Sequence, residues 1–150
     1  SELTGLKIEN LKGNVISVFG KGSKWRDIPI SRRTMQALIV YLDQRGKVTL
    51  KSPLFPSVDE TTDGNQHMSR YGLGKLVSRL GKKAGVAGVH PHLFRHTFAL
   101  NYLKNGGDAI SLQLLLGHTS LDMVKRYVNL ACGDLREIHQ RASPVENWRL

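Results

Sequence analysis

His90-Pro91-His92-Leu93-Phe94-Arg95-His96-Thr97-Phe98 is the stretch on which the reading of this chain turns. Pro91 suits the first position of a helix, where its missing N–H is not needed. The pattern predicts a helix from there to about Lys104, stopped by Gly106-Gly107. On that helix His92 and Arg95 are three apart and share a face, while Phe94, Phe98 and Asn101 point elsewhere. A guanidinium and an imidazole on one face can both bond the non-bridging oxygens of a phosphate. Two other readings stand beside this one. His92 could be a hydrogen-bonded histidine of a buried helix. His92 and His96, four apart, could be a metal pair, although no Glu follows the first His as in H-E-x-x-H and Arg95 would crowd a cation.

Downstream, Asp108 is placed to cap a short helix, Ala109 to Leu116, which Gly117-His118 ends. Thr119 is expected to cap the next helix, with Asp122 at N3 as a partial capping box. That helix carries Met123, Val124, Lys125, Arg126 and Tyr127. Taken alone, Tyr127 reads as a core or interface tyrosine.

Upstream, residues 1–30 read as β-rich. Val15-Ile16-Ser17-Val18-Phe19 is β-branched and aromatic, Gly20-Lys21-Gly22-Ser23 is turn chemistry, and Trp25 to Ile30 is a second extended run, which together make a hairpin. From Ser31, a plausible N-cap, Met35, Leu38, Ile39 and Leu42 recur at helical spacing. Residues 46–66 read as a loop around Pro53-Leu54-Phe55. A helix is predicted from about Met68 to Ala84, with Leu73, Leu76, Val77, Leu80 and Ala84 on one face. Lys75, Arg79, Lys82 and Lys83 fall on the other. That face is either an ordinary solvated surface or a phosphate-tracking stripe, since no acid interrupts it.

Bulk properties agree with a polyanionic partner. The 150 residues fit one domain, 40% hydrophobic content can bury a core, and 22 Lys and Arg against 12 Asp and Glu leave a formal charge of +10. No apolar run approaches the roughly 18 residues of a membrane span, so membrane binding is not expected. Cys132 is the only cysteine, which excludes a disulfide framework and favours a reducing, cytoplasmic setting.

The ensemble resembles the tyrosine recombinase (phage integrase) family. Its pattern H-x-L-R-H-[TS]-F-A is matched by His92-Leu93-Phe94-Arg95-His96-Thr97-Phe98-Ala99, and its L-[LG]-H-x-[ST] by Leu115-Leu116-Gly117-His118-Thr119-Ser120, with Tyr127 nine residues beyond His118. Gly20-Lys21-Gly22-Ser23-Lys24-Trp25-Arg26-Asp27-Ile28-Pro29 is similar to G-K-G-x-K-x-R-x-[IV]-P, and Asp134-Leu135-Arg136-Glu137 with Ser143-Pro144 resembles integrase C-termini. The resemblance implies an α+β, mostly α catalytic-domain fold, with a small N-terminal antiparallel hairpin packed on a helical bundle. It implies a site-specific recombinase or integrase of a phage or mobile element, which cuts and rejoins double-stranded DNA through a 3′-phosphotyrosine without ATP, metal or other cofactor. Tyr127 would be the nucleophile. Arg95 and His118 would hold the phosphate, His92 would assist proton transfer at the nucleophile, and Lys21 would protonate the departing 5′-oxygen. Lys24, Arg26, Lys75, Arg79, Lys82 and Lys83 would contact DNA. The resemblance further implies a tetramer on DNA, monomeric when free, at the bacterial nucleoid.

The family opens its catalytic domain with T-G-L-R-x-S-E-L, whereas this chain starts Ser1-Glu2-Leu3. The sequence therefore reads as a fragment that lacks the first phosphate-binding arginine and an upstream core-binding domain. On this reading it is a single catalytic domain, inactive alone, with a tail at 131–150 that packs in cis or passes to a neighbour through Leu135, Ile138, Val145 and Trp148. The rival readings are a non-catalytic helix-turn-helix-like DNA-binding module, a type IB topoisomerase and, last, a metallohydrolase.

Overall fold

The hairpin of the sequence lies in a three-stranded antiparallel sheet of β1 (Leu11–Lys12), β2 (Val15–Gly20) and β3 (Lys24–Pro29), in that order. The computed structural model describes residues 2–20, 23–57, 66–131, 139–140 and 142–145. Lys21, Leu135, Ile138 and Trp148 lie outside the described residues. The helices are α1 (Arg32–Arg45), α2 (Arg70–Lys83), α3 (Pro91–Lys104), α4 (Ala109–Leu116) and α5 (Asp122–Ala131), so the class is α+β and mostly α. Among the described residues no helix is long and apolar enough to cross a membrane. The chain divides into two units, residues 1–91 and 92–150.

In the first unit β2 pairs β3 with Phe19 opposite Trp25, Val18 opposite Arg26 and Ser17 opposite Asp27. Alternation turns Val18 inward, where it joins Leu6, Leu38 and Leu54 in a core lined by Ile16, Ile28 and Leu42. Ser31 caps α1 as expected, its Oγ accepting from the Thr34 N–H at 3.2 Å. The spacing that placed Leu38 and Leu42 toward the core also included Ile39, which is 58% exposed. Within the segment read as a loop, Leu54 is completely buried. Its backbone is satisfied by its neighbours, as burial requires. Leu54 N–H donates to the Leu6 carbonyl at 2.8 Å, and Tyr41 Oη and Arg45 Nη1 donate to the Leu54 carbonyl at 3.0 and 2.9 Å. Ser69 caps α2 by accepting from the Gly72 N–H at 2.9 Å, which sets the helix start just after Met68.

In the second unit Ala99, Leu112, Leu116, Val124 and Tyr127 form the core, with Tyr102, Leu103, Ala109 and Val128 packed on it. Gly107 joins α3 to α4. A Cβ there would lie 2.2 Å from the Tyr102 ring, so only glycine fits. Asp108 caps α4, accepting from the Ser111 N–H at 2.8 Å and its hydroxyl at 2.6 Å. Gly117 closes α4 at φ 67°, with Gly117 N–H donating to Leu114 and His118 N–H to the Gln113 carbonyl, each at 3.1 Å. This is the paired 5→2 and 6→1 bonding of a Schellman motif. The next helix departs from expectation. Thr119 does not cap it; α5 starts at Asp122, and the Leu121 carbonyl accepts from Lys125 N–H at 3.0 Å. The Schellman turn uses Gly117 and His118, so residues 119–121 are spent reversing the chain. Asp122 then stabilises the first turn through the helix dipole and a 2.6 Å pair with Lys125.

Candidate active site

Arg95 is held by the end of α4. Its Nη2 donates to the Leu116 carbonyl at 2.5 Å. The last carbonyls of a helix lack partners within it and carry partial negative charge, so a guanidinium is well matched there. One arm of the planar fork is thereby fixed, and its other N–H donors remain for a second acceptor.

Two residues past Leu116, the Schellman turn delivers His118. Gln113 Nε2 donates to the His118 carbonyl at 3.2 Å and braces the turn. Both ring nitrogens of His118 are buried, and neither has a hydrogen-bond partner among the described residues. Burial of the imidazole, and secondarily the nearby Arg95 charge, push its pKa below the usual histidine value. An anion at this point would relieve both effects and supply an acceptor.

Tyr127 is 6% exposed and belongs to the core, as its position in α5 taken alone suggests. Its hydroxyl nevertheless has a polar partner: Oη lies 2.6 Å from His96 Nδ1, with the rings 5.6 Å apart and tilted by 44°. The nucleophile candidate thus meets His96, whereas the family resemblance assigns assistance in proton transfer to His92. His92 is exposed and has no hydrogen-bond partner among the described residues. A signal for His96 was available, because 92, 95, 96 and the buried Ala99 follow one helical face. Among the described residues no three His, Cys, Asp or Glu side chains are grouped as a metal site.

In the first unit, Lys75, Arg79, Lys82 and Lys83 are exposed on α2 and fall on one arc of it. Lys75 Nζ lies 4.5 Å from the centroid of the exposed Tyr71 ring. Lys24 is exposed at the start of β3. Arg26 is committed elsewhere: its Nη1 and Nη2 donate to Glu2 Oε1 and Oε2 at 2.8 and 2.7 Å, and this pairing raises its already high pKa. That bidentate pair ties the N-terminal segment to β3 and occupies the fork otherwise available to a phosphate. An aromatic patch that the sequence pattern does not single out lies on the hairpin, where exposed Phe19 and Trp25 pack at 5.3 Å and 53°.

Within the second unit the arrangement combines a phenol, an imidazole on its hydroxyl, a partly free guanidinium and an unpartnered buried imidazole. Such a set can bind an anion and present an oxygen nucleophile.

A sequence model described as the phage integrase family matches residues 1–133. The chain is 36% identical to the tyrosine recombinase XerC of Pelobacter propionicus, over 96% of this chain and 47% of that protein. It is 34% identical to the tyrosine recombinase XerD of Pseudomonas aeruginosa, over 96% of this chain and 49% of that one. The chain thus spans about half the length of the curated relatives it matches. Among solved structures, XerA recombinase matches with a TM-score of 0.74 and 32% identity, over 95% of this chain and 52% of that one. The catalytic domain of bacteriophage HP1 integrase matches with a TM-score of 0.65 over 99% of this chain and 76% of that one; at 22% identity it speaks to the fold alone.

Proposed function

The chain belongs to the phage integrase family, and on that premise we propose that it carries the catalytic site of a site-specific DNA recombinase. The observation that carries this reading is that His118, beside Arg95, has two buried ring nitrogens with no hydrogen-bond partner among the described residues. A phosphodiester would give the His118 ring the acceptor it lacks and engage the Arg95 donors that Leu116 does not use. The tyrosine recombinases among its relatives, and a XerH recombinase solved with its difH substrate in a post-cleavage complex, support the same reading.

A phosphodiester is anionic and resists nucleophiles, so its site must neutralise charge that develops at phosphorus. Arg95 and His118 would bind the non-bridging oxygens. Tyr127 would attack phosphorus, form a 3′-phosphotyrosine and release the 5′-hydroxyl. Lys21, between β2 and β3 in the sequence, would supply the proton to the leaving oxygen, and His92, exposed on the same helix face as Arg95, would assist proton transfer at the nucleophile. The phosphotyrosine keeps the energy of the broken bond, so rejoining would need no ATP. Lys24 and the α2 stripe would track the duplex backbone, and Arg26 would act through Glu2 to hold the hairpin. The enzyme would assemble as a tetramer on paired sites from free monomers, in the bacterial cytoplasm at the nucleoid.

Incubation with nicked double-stranded DNA in EDTA, at the length of the chain's relatives, tests this. A covalent protein–DNA adduct is expected. DNA binding with no adduct would favour a helix-turn-helix-like module instead, and relaxation of supercoiled plasmid without site preference would favour a type IB topoisomerase.

A further inference from the structure

The hydrogen bond between Tyr127 and His96 has no place in the scheme above, which leaves the phenolic proton without an acceptor in contact with it. A phenol with a pKa of about 10 is mostly protonated at neutral pH. Attack on phosphorus therefore requires that proton to leave as the new bond forms. A base serves an oxygen from about 2.6–3.2 Å directly, or through one water. His96 Nδ1 is 2.6 Å from Tyr127 Oη. His92, Arg95 and His118 have no described hydrogen bond to that hydroxyl.

Resting on the proposal that Tyr127 is the nucleophile, we infer that His96 is a further catalytic residue, the base that takes the Tyr127 proton during cleavage and returns it during rejoining. In the tautomer with Nδ1 bare, His96 accepts from the phenol and fixes the direction of Oη. On attack the Oη–P bond forms and the P–O5′ bond breaks. The phenolic proton passes to Nδ1, and the electron pair of the broken bond leaves on O5′, which is protonated by a separate acid, the Lys21 ammonium in the scheme above. Rejoining reverses each transfer: O5′ attacks phosphorus, and His96 hands its proton back to the departing Oη.

The local structure suits this role. Tyr127 is packed among Ala99, Leu112, Leu116 and Val124, so its ring has little freedom. His96 is exposed and sits one turn before Ala99 on α3. A rigid nucleophile is thus paired with an imidazole that solvent or substrate can reach. An exposed histidine can also be replaced with little loss of packing.

The test uses the protein at the length of its relatives and single-turnover cleavage of a nicked duplex. His96→Asn keeps an amide near the Nδ1 position, which can still bond Oη but cannot take its proton. We expect cleavage to slow by about 10²–10⁴-fold, with DNA affinity within about twofold of the original. A duplex with sulfur at the 5′-bridging position, whose thiolate leaves without a proton, should not restore the rate. Free imidazole should partly restore His96→Ala and should do nothing for His96→Ala combined with Tyr127→Phe. Cleavage by His96→Asn at the original rate, or its rescue by the bridging sulfur, overturns the inference. Should either variant fail to fold, long-range ¹H–¹⁵N NMR of the unaltered protein decides instead: protonated Nε2 with bare Nδ1 is expected at His96, and a neutral Nδ1–H tautomer overturns the assignment. Failure of the underlying reading looks different, since Tyr127→Phe would then still form the adduct.

Discussion

Arg95 donates to the carbonyl of Leu116 at 2.5 Å, and so fastens α3 to the turn that carries His118. The two groups expected to share a phosphate are therefore set by one local device, a helix C-terminus closed by Gly117 and stapled by a guanidinium. Its geometry needs a fork: one arm for the carbonyl, another for the ligand.

Arg95→Lys keeps the charge and loses the fork. Cleavage should fall on the order of 10³–10⁵-fold, by analogy with the arginine that stabilises transition-state charge in phosphoryl transfer. That corresponds to about 4–7 kcal/mol. Stability should drop by only about 1 kcal/mol for the altered bond to Leu116. Single-turnover cleavage and urea unfolding of the variant check both figures. A lysine enzyme with undiminished cleavage would remove Arg95 from the site.

His118 gives a pH signature. Its pKa in the folded chain lies below the unfolded value of 6.5, chiefly through burial and then through Arg95. The unfolded state binds the proton more readily, so acid favours unfolding. The contribution is fully present above pH 6.5 and is lost as pH falls through the lower folded value. Urea unfolding between pH 7.5 and 5.5 should show a smaller decline in stability for His118→Gln than for the original chain. Phosphate binding favours the charged ring, so DNA affinity should rise on acidification across the same range, and less so in the variant.

The basic arc of α2 should dominate the salt dependence of DNA binding. Each phosphate contact contributes about 0.9 to the log–log slope. Arg79→Gln, Lys82→Gln and Lys83→Gln together should flatten it by roughly two to three units. An unchanged slope would identify the arc as an ordinary solvated surface. Lys82 and Lys83 also lie in the last turn of α2, so their loss should cost up to about 1 kcal/mol each through the helix dipole.

What the sequence made legible was local. Asp108, Gly117 and the apolar run between them bound α4 at Ala109 and Leu116, and the Ser31 cap and the paired strands β2 and β3 are found where their chemistry puts them. What escaped it depends on partners far along the chain. Arg26 reads as a DNA contact until Glu2 is found in its fork, and Tyr127 carries no mark of His96, 31 residues away. Thr119 has the chemistry of a cap, but the turn that ends α4 sets the following segment, and α5 begins at Asp122.

The same limit applies to Leu54, which sits in a Pro- and Ser-bearing segment that reads as a loop and yet is wholly buried. Leu54→Ala should cost about 2–5 kcal/mol. Ile39→Ala, on the helical spacing of α1 but 58% exposed, should cost no more than about 0.5 kcal/mol. Chemical denaturation of the two variants checks the contrast, and a larger loss at Ile39 than at Leu54 would contradict this core.

The proposed function rests on covalent attachment of DNA through Tyr127. Tyr127→Phe keeps the ring in the core and removes only the hydroxyl bonded to His96, so it should cost under about 1.5 kcal/mol. The measurement is covalent capture of a nicked duplex by the original chain and the variant, each at the length of its relatives, with affinity and unfolding recorded alongside. An adduct is expected for the original chain and none for Tyr127→Phe, with DNA affinity retained. A protease-sensitive DNA adduct formed by Tyr127→Phe would contradict it.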